Sequence, residues 1–207
     1  MPTTIYTKTR KTYDALGRPY VLSIEPLVPR ERRAFAAKLM KGSRVLDVGC
    51  AGGRDASFFA EKGFQVTGID TSKTLLQIAR KRVPRGKFIF MDARKLLFSP
   101  QSFNAIWANA VLLHLQRKDI PGVLRRFSAV LVPDGFLHVR VKLGKGSAWV
   151  TDKLSSRLRF FSYFTKAEME GLLQKAGFRI QLSRIVADQG KRRDVRWVQI
   201  EAQKTAS

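Results

Sequence analysis

The sequence predicts a doubly wound α/β domain whose sheet is mostly parallel and ends in an antiparallel strand. Three observations carry that expectation. Five short apolar runs alternate with four crossover connections, which is the rhythm of a parallel sheet covered on both faces. The first run ends in a cluster of glycines that opens a helix. The last two apolar runs are separated by Asp188-Gln189-Gly190-Lys191-Arg192-Arg193, a polar connection with no room for a crossover helix.

Each element follows in order. Residues 1–41 are a basic segment with Tyr13, Tyr20 and Phe35 as aromatic anchors. They are expected to form a lid over the main domain of residues 42–207, and a helix is expected only from Arg30 to Met40, opening after Pro29. Arg44 to Val48 is the first strand, and Asp55 to Lys62 a helix stopped by Gly63. Phe64 to Ile69 is the next strand. Ser72 offers an N-cap to the helix of Leu75, Leu76, Ile78 and Ala79, which ends before Pro84. Lys87 to Met91 and Phe103 to Ala108 are strands three and four. The spacing of Ile120, Val123, Leu124, Phe127 and Leu131 marks an amphipathic helix, closed by the turn Pro133-Asp134-Gly135 before the strand Phe136 to Val141. Thr165 with Glu168 is a capping box for a helix reaching Ala176 and ended by Gly177. Phe178 to Val186 and Val195 to Ala202 then pair as an antiparallel hairpin.

Composition narrows the function classes. A chain of 207 residues that is 44% hydrophobic closes one substantial core. The longest apolar stretch, Ala105 to Leu115, is interrupted by Asn109 and falls short of the roughly 20 residues of a membrane span. The first residues lack the order of a secretory signal, so a cytoplasmic address is expected. Cys50 has no disulfide partner, and with His114 and His138 it makes no zinc-type ligand set, so no metal is expected. His138 alternates with Leu137 and Val139 and is read as a satisfied sheet histidine. The formal charge is +23, from 39 Lys and Arg against 16 Asp and Glu. Such a surface either draws in a polyanion by counterion release or is a basic surface without a dedicated partner.

The chemistry concentrates in Val45-Leu46-Asp47-Val48-Gly49-Cys50-Ala51-Gly52-Gly53-Arg54-Asp55. A strand ending in an acid and a tight glycine loop opening a helix is a nucleotide-recognition arrangement, because small residues let a ligand lie against the backbone. A dinucleotide fingerprint needs glycines at 49, 51 and 54, where this chain has Gly49, Ala51 and Arg54; that disfavours a nicotinamide oxidoreductase. Asp47 suits the cationic amino-acid end of a sulfonium cofactor better than a pyrophosphate. About 20 residues beyond the loop, Asp70 stands at the second strand's tip, where a carboxylate accepts from two vicinal ribose hydroxyls. Asp92 at the third tip offers an acceptor for an exocyclic adenine amine, beside Ala93, which is small enough to admit the ring.

Three acids on successive strand tips around Gly49-Cys50-Ala51-Gly52-Gly53 resemble the class I S-adenosylmethionine-dependent methyltransferases. The resemblance runs from Arg44 to about Gln203 and includes Asn109-Ala110-Val111-Leu112-Leu113-His114-Leu115, Pro133-Asp134-Gly135 and Tyr163-Phe164-Thr165 through Ala176-Gly177-Phe178. It implies a Rossmann-like seven-stranded sheet with an antiparallel last strand, and S-adenosylmethionine as cofactor, with S-adenosylhomocysteine as product. It also implies that Asp47 with the loop residues Gly49, Cys50, Ala51 and Gly53 holds the methionine part, Asp70 with Thr71 the ribose, and Asp92 with Ala93 the adenine. Asn109 and Ala110 are further expected cofactor contacts. Ala51 replaces the family's middle glycine, which is harmless at negative φ and strained at positive φ.

Methyl transfer from a sulfonium is an in-line displacement, for which positioning supplies most of the acceleration. His114, following the fourth strand, is the candidate base for a hydroxyl or amine acceptor; the competing reading is a packed or capping histidine. Acceptor contacts are expected from Tyr13, Tyr20, Lys142, Arg159 and Tyr163, against the alternative that the neighbouring Phe160, Phe161 and Phe164 are core and the cations solvated. The expected acceptor is a small molecule or an RNA. The alternative function is a basic nucleic-acid-binding protein that uses the same scaffold without catalysis.

Overall fold

A computed structural model describes residues 4–27, 31–152, 155–188 and 195–205. Seven strands form one sheet: β1 (Arg44–Val48), β2 (Gln65–Asp70), β3 (Lys87–Phe90), β4 (Phe103–Asn109), β5 (Leu131–Lys142), β8 (Phe178–Ala187) and β9 (Arg196–Lys204). Their order is β3-β2-β1-β4-β5-β9-β8. The first five are parallel, while β9 runs antiparallel to both β5 and β8. The order reverses between β1 and β4, which opens a crevice at their carboxyl ends.

Helices α3 (Arg54–Glu61), α4 (Lys73–Arg82), α5 (Ile120–Val130) and α6 (Lys166–Lys175) cover the sheet. Ser72 Oγ accepts from Leu75 N, and both halves of the Thr165–Glu168 capping box are formed, so these starts are set by local chemistry. Two apolar clusters lie on opposite faces. One packs Leu46, Ile106 and Val139 under Phe127 and Leu173, and the other packs Val45 and Trp107 under Phe35, Phe59 and Leu76.

Three expectations change, and the unassigned stretch after Lys142 acquires a structure. Before Arg30 the sequence pattern predicts no helix, yet α1 runs Ile5–Ile24. Its buried positions are Thr9, Thr12, Gly17 and Val21, so the face it packs is largely polar and carries no apolar period; the chain also kinks at Gly17 (φ 47°), with Pro19 following. The helix expected to run from Arg30 to Met40 is only α2, Glu31–Ala36; Pro29 and Arg30 lie outside the described residues. The turn Pro133-Asp134-Gly135 is absorbed into β5: Phe103 pairs with Leu131 and Ala105 with Phe136, so β5 carries the extra residues as a bulge, with Asp134 at φ 58°. The stretch after Lys142 forms a two-stranded antiparallel hairpin, β6 (Ser147–Asp152) and β7 (Ser155–Ser162). Most of the polar connection after Asp188, residues 189–194, lies outside the described residues.

His138 is also not the satisfied histidine expected. It is fully buried, neither ring nitrogen has a hydrogen-bond partner, and the ring stacks on Trp107 at 3.8 Å and 15°. Stacking is the reason a histidine fits there: the ring is held by its faces rather than its nitrogens. Burial, with Arg140 nearby, holds its pKa well below the ordinary value. The unfolded chain therefore takes up the proton first, and stability falls as pH drops below about 6.5. His138→Phe keeps the stack and removes two orphaned nitrogens, each of a kind that costs about 1–3 kcal/mol. Thermal melts should show the variant at least as stable as the parent at pH 7, with a margin that widens at pH 5.

Candidate active site

The site is assembled at the carboxyl ends of β1, β2, β3 and β4. Gly49 N and Cys50 N donate to Ile69 O at 2.8 and 3.1 Å, bending the loop back over β2. Gly49 has φ 70°, and a Cβ there would lie 2.5 Å from Val111 Cγ2. Asp70 receives Ala51 N on Oδ2 (3.0 Å) and Ser72 N on Oδ1 (2.8 Å), so one carboxylate locks the loop and starts α4. Burial pushes its pKa up against those backbone hydrogen bonds. Ala51 has φ 47°, the strained case; a left-handed alanine costs about 1–2 kcal/mol, which the Asp70 hydrogen bond helps to offset.

Asp92 caps a short 3-10 turn: Oδ1 accepts from Arg94 N at 2.9 Å, and the Arg94 guanidinium forks onto both oxygens, the shortest contact being 2.6 Å. Burial alone would raise its pKa, but the Arg94 hydrogen bonds outweigh it and hold the carboxyl below the usual range. Arg94 in turn lies 3.3 Å over the Tyr6 ring.

Two adjoining hollows open here. The first, about 780 Å³ and open to solvent, is lined by Asp70, Thr71, Asp92 and Ala93 together with Leu75 and Met91. The second, about 1010 Å³, is lined by Asp47, Cys50, Asn109, Lys142 and Arg159. Gly49, Ala51, Ala110, Tyr13, Tyr20 and His114 line both, so the hollows form one continuous cleft. Two expected site residues stand apart. Gly53 caps α3 with its α-carbon against Ala79, and Tyr163 packs beside Gly144 with its carbonyl accepting from Arg117.

The residues present fit a cationic ligand group in the second hollow. Asp47 is 3% exposed, and its Oδ2 has no hydrogen-bond partner; Asn109 Oδ1 is likewise buried and unpartnered. Burial, with Asp55 nearby, pushes the Asp47 carboxyl well up. An ammonium donor would satisfy both oxygens and bring Asp47 back to its charged form.

His114 stands where the hollows meet. Its Nδ1 lies 2.8 Å from Phe160 O, which can only accept, so Nδ1 carries the proton and Nε2 accepts from the Tyr13 hydroxyl at 2.8 Å. Arg159 Nη1 donates to the same hydroxyl at 3.2 Å. Tyr13 belongs to α1, and this helix is fastened to the hairpin by Thr12 Oγ1 donating to Leu158 O and Phe160 N donating to Thr9 Oγ1. The sequence reading named Tyr13 and Tyr20 but missed the α1 contributors Tyr6 and Thr9, because their helix has no apolar period. It also missed the Arg54–Asp55 pair. Arg54 Nη1 donates to Ile24 O and Leu27 O at 2.6 and 2.8 Å, closing the end of α1 over the loop. Asp55 accepts from Arg54, Arg32 and Trp107 Nε1. Arg140 and Trp197 were missed too, although the period of two along β5 puts Arg140 on the same face as Lys142.

Comparison with known proteins agrees with this geometry. Residues 45–135 match a family model described as a methyltransferase domain. Methyltransferase GfsG of Streptomyces halstedii is 37% identical over 105 residues, covering 47% of this chain and 37% of that protein. Demethylmenaquinone methyltransferase of Chlorobaculum tepidum is 30% identical over 139 residues, covering 65% of this chain and 57% of that protein. The chain thus spans less than two thirds of the length of these curated relatives. Among solved structures, 1,6-didemethyltoxoflavin-N1-methyltransferase of Burkholderia thailandensis, with S-adenosylhomocysteine bound, superimposes with a TM-score of 0.78 at 24% identity, covering 100% of this chain and 91% of that one. Residues 45–135 are thus a methyltransferase domain, and in its sheet order, its glycine loop and its three strand-tip acids the chain is similar to the class I S-adenosylmethionine-dependent methyltransferases.

Proposed function

We propose that this chain transfers the methyl group of S-adenosylmethionine to a small-molecule or RNA acceptor by in-line displacement. The observation that carries the reading is the convergence of Asp47, Asp70 and Asp92 on one cleft around the Gly49–Gly53 loop. When bound, the cofactor supplies a methyl carbon already activated by its sulfonium. The chain's own residues bind and orient. Asp47 and Asn109 accept from the ammonium, Asp70 with Thr71 takes the ribose hydroxyls, and Asp92 with Ala93 faces the adenine. Gly49, Cys50, Ala51 and Ala110 present backbone, and Gly53 sets the start of α3.

Holding donor and acceptor together is worth up to about 7–11 kcal/mol, so no strong base is needed. Where the acceptor carries a proton, His114 Nε2 receives it by way of the Tyr13 hydroxyl that donates to it, with Nδ1–H steadied by Phe160 O. Tyr13, Tyr20, Lys142 and Arg159 are the proposed acceptor contacts, and residues 1–41 the lid. The demethylmenaquinone and didemethyltoxoflavin enzymes take their names from small molecules, which favours that acceptor class. The proposed compartment is the cytoplasm, where the lone buried thiol of Cys50 stays reduced.

A second reading, a nucleic-acid-binding protein without catalysis, is favoured by one surface feature. Lys8, Lys11 and Arg18 of α1 stand exposed, and Lys8 lies 4.6 Å over the Trp149 ring. Phosphate binding weakens steeply with salt, so electrophoretic titrations at several salt concentrations test it. No shift at low salt eliminates this reading.

Methyl-tritiated donor supplied with cell extract should label an acceptor; no label in any fraction, from a chain that binds the donor, counts against transfer. Asp70→Ala should weaken S-adenosylhomocysteine binding by about 2–4 kcal/mol in calorimetry, through the loss of two charged hydrogen bonds. Unchanged affinity removes Asp70 from the ribose role. Asp47→Asn separates binding from stability. Because the folded pKa of Asp47 is raised, its stabilising contribution is complete below about pH 3.9, the unfolded value, and is lost as pH rises through the folded one. The variant should therefore melt higher than the parent at pH 8 without ligand, yet bind S-adenosylhomocysteine about tenfold or more weakly. A lower melting temperature at pH 8 contradicts the unpaired-acid reading.

A further inference from the structure

We infer that Arg94 and Tyr6 select the base of the donor: together they hold the Asp92 carboxylate as a fixed acceptor, which takes a 6-amino purine and rejects a 6-oxo one. This rests on the reading of Asp92 as the adenine contact and adds the two positioning residues behind it. Arg94 brings three donors to that carboxylate. Its backbone N and its Nε reach Oδ1 at 2.9 and 3.1 Å, while Nη2 and the shared Nε reach Oδ2 at 2.6 and 3.1 Å. A carboxylate has about four lone-pair sites, so one is left for the hollow that Asp92 lines, and only a donor can use it. An exocyclic amine is such a donor, whereas a carbonyl in its place sets lone pair against lone pair.

The fork controls orientation as well as occupancy. A planar guanidinium on both oxygens fixes the plane of the carboxylate, which a lysine ammonium at the same place could not do. Burial by itself pushes the Asp92 pKa up, and the hydrogen bonds and charge of Arg94 reverse that, so at neutral pH the carboxyl has no proton to offer a carbonyl. Without Arg94 the side chain could turn, and a 6-oxo base would no longer meet a fixed acceptor.

Tyr6 supplies what an ion pair at the surface lacks. The Arg94 and Asp92 side chains are 30% and 26% exposed, and pairs so placed contribute little when both partners move freely. Here the guanidinium lies 3.3 Å over the Tyr6 ring, so one face is covered and its approach to Asp92 is set. The ring is itself anchored: the Tyr6 hydroxyl donates to Asp119 Oδ2, at the start of α5, and accepts from Gln116 N at 3.3 Å. Tyr6 also lines the first hollow with Asp92 and Ala93. One line of contacts, Asp119–Tyr6–Arg94–Asp92, thus runs from α5 through α1 to the proposed base contact beyond β3.

Calorimetric titration of the whole chain with S-adenosylhomocysteine and with its 6-oxo counterpart, S-inosylhomocysteine, tests the inference. The parent should prefer the amino form about hundredfold, since the oxo form leaves a charged acceptor facing a carbonyl. Arg94→Met keeps an apolar stem beside Tyr6 but removes the fork, and should cut that preference about tenfold. Tyr6→Leu should cut it about threefold, while Tyr6→Phe, which keeps the ring under the guanidinium, should hold it within about twofold of the parent. A merely structural role lowers both affinities together and leaves their ratio at the parent value; that result for Arg94→Met overturns the inference, and for Tyr6→Leu it removes Tyr6 from the pair. Equal affinity of the parent for the two ligands also overturns it. Asp92→Asn, whose amide can turn either group to the base, should abolish the preference; a variant that keeps it in full shows that the base is read elsewhere and overturns the Asp92 reading as well. Titration of the parent with S-adenosylhomocysteine alone reports separately on the methyl-transfer reading.

Discussion

The carboxylate of Asp70 joins the two halves of this molecule's chemistry. One oxygen takes the amide of Ala51 and the other that of Ser72, so the loop after β1 and the start of α4 are registered on the same side chain. Since the loop also donates Gly49 N and Cys50 N to Ile69 O, its path is determined by β2 as much as by its own residues. The direction of α3, the gap over Gly49 and the position of Ala51 follow. Ala51 shows the strength of this constraint: the backbone adopts φ 47° there, although a glycine would do so without strain.

The site is built at the expense of the core. On the face of the sheet that carries Trp107, β5 presents His138, Arg140 and Lys142 in succession toward its carboxyl end, and β1 contributes Asp47. Continued apolar side chains would have packed more favourably. Instead the sheet passes from a stacked but unpartnered histidine, through a guanidinium, to an ammonium held over a phenyl ring. The Asp47 carboxyl, buried with its Oδ2 lacking a hydrogen-bond partner, is in the state in which a ligand of opposite charge gains most, because its arrival removes a desolvation cost the fold already bears.

The N-terminal helix is held differently from the rest. The sheet helices dock by apolar faces, but α1 meets the hairpin through Thr9 and Thr12 and meets His114 through Tyr13. Polar contacts of about 0.5–1.5 kcal/mol each can be exchanged for water at little net loss.

The parallel strands, their helices and the antiparallel final pair were legible because each rests on a local rule. Alternation of apolar runs marks strands, and Ser72 and the Thr165–Glu168 box mark helix starts within a few residues. The strand-tip acids and the glycine loop were legible for the same reason: a tight turn against a ligand demands small residues at set spacing. The sequence by itself thus determined the topology and the loop and strand-tip residues of the cleft, and it singled out Tyr13, Lys142 and Arg159 without showing what they face. Only the tertiary structure decided how the cationic wall of the cleft is assembled. Arg140, Lys142, Arg159, Trp197 and Tyr13 come from four elements far apart in the chain, and α1 buries hydroxyls that read locally as solvent-facing. Periodicity reports which residues share a face of one element. Which faces then enclose a common volume depends on packing between elements, and no local spacing carries that information.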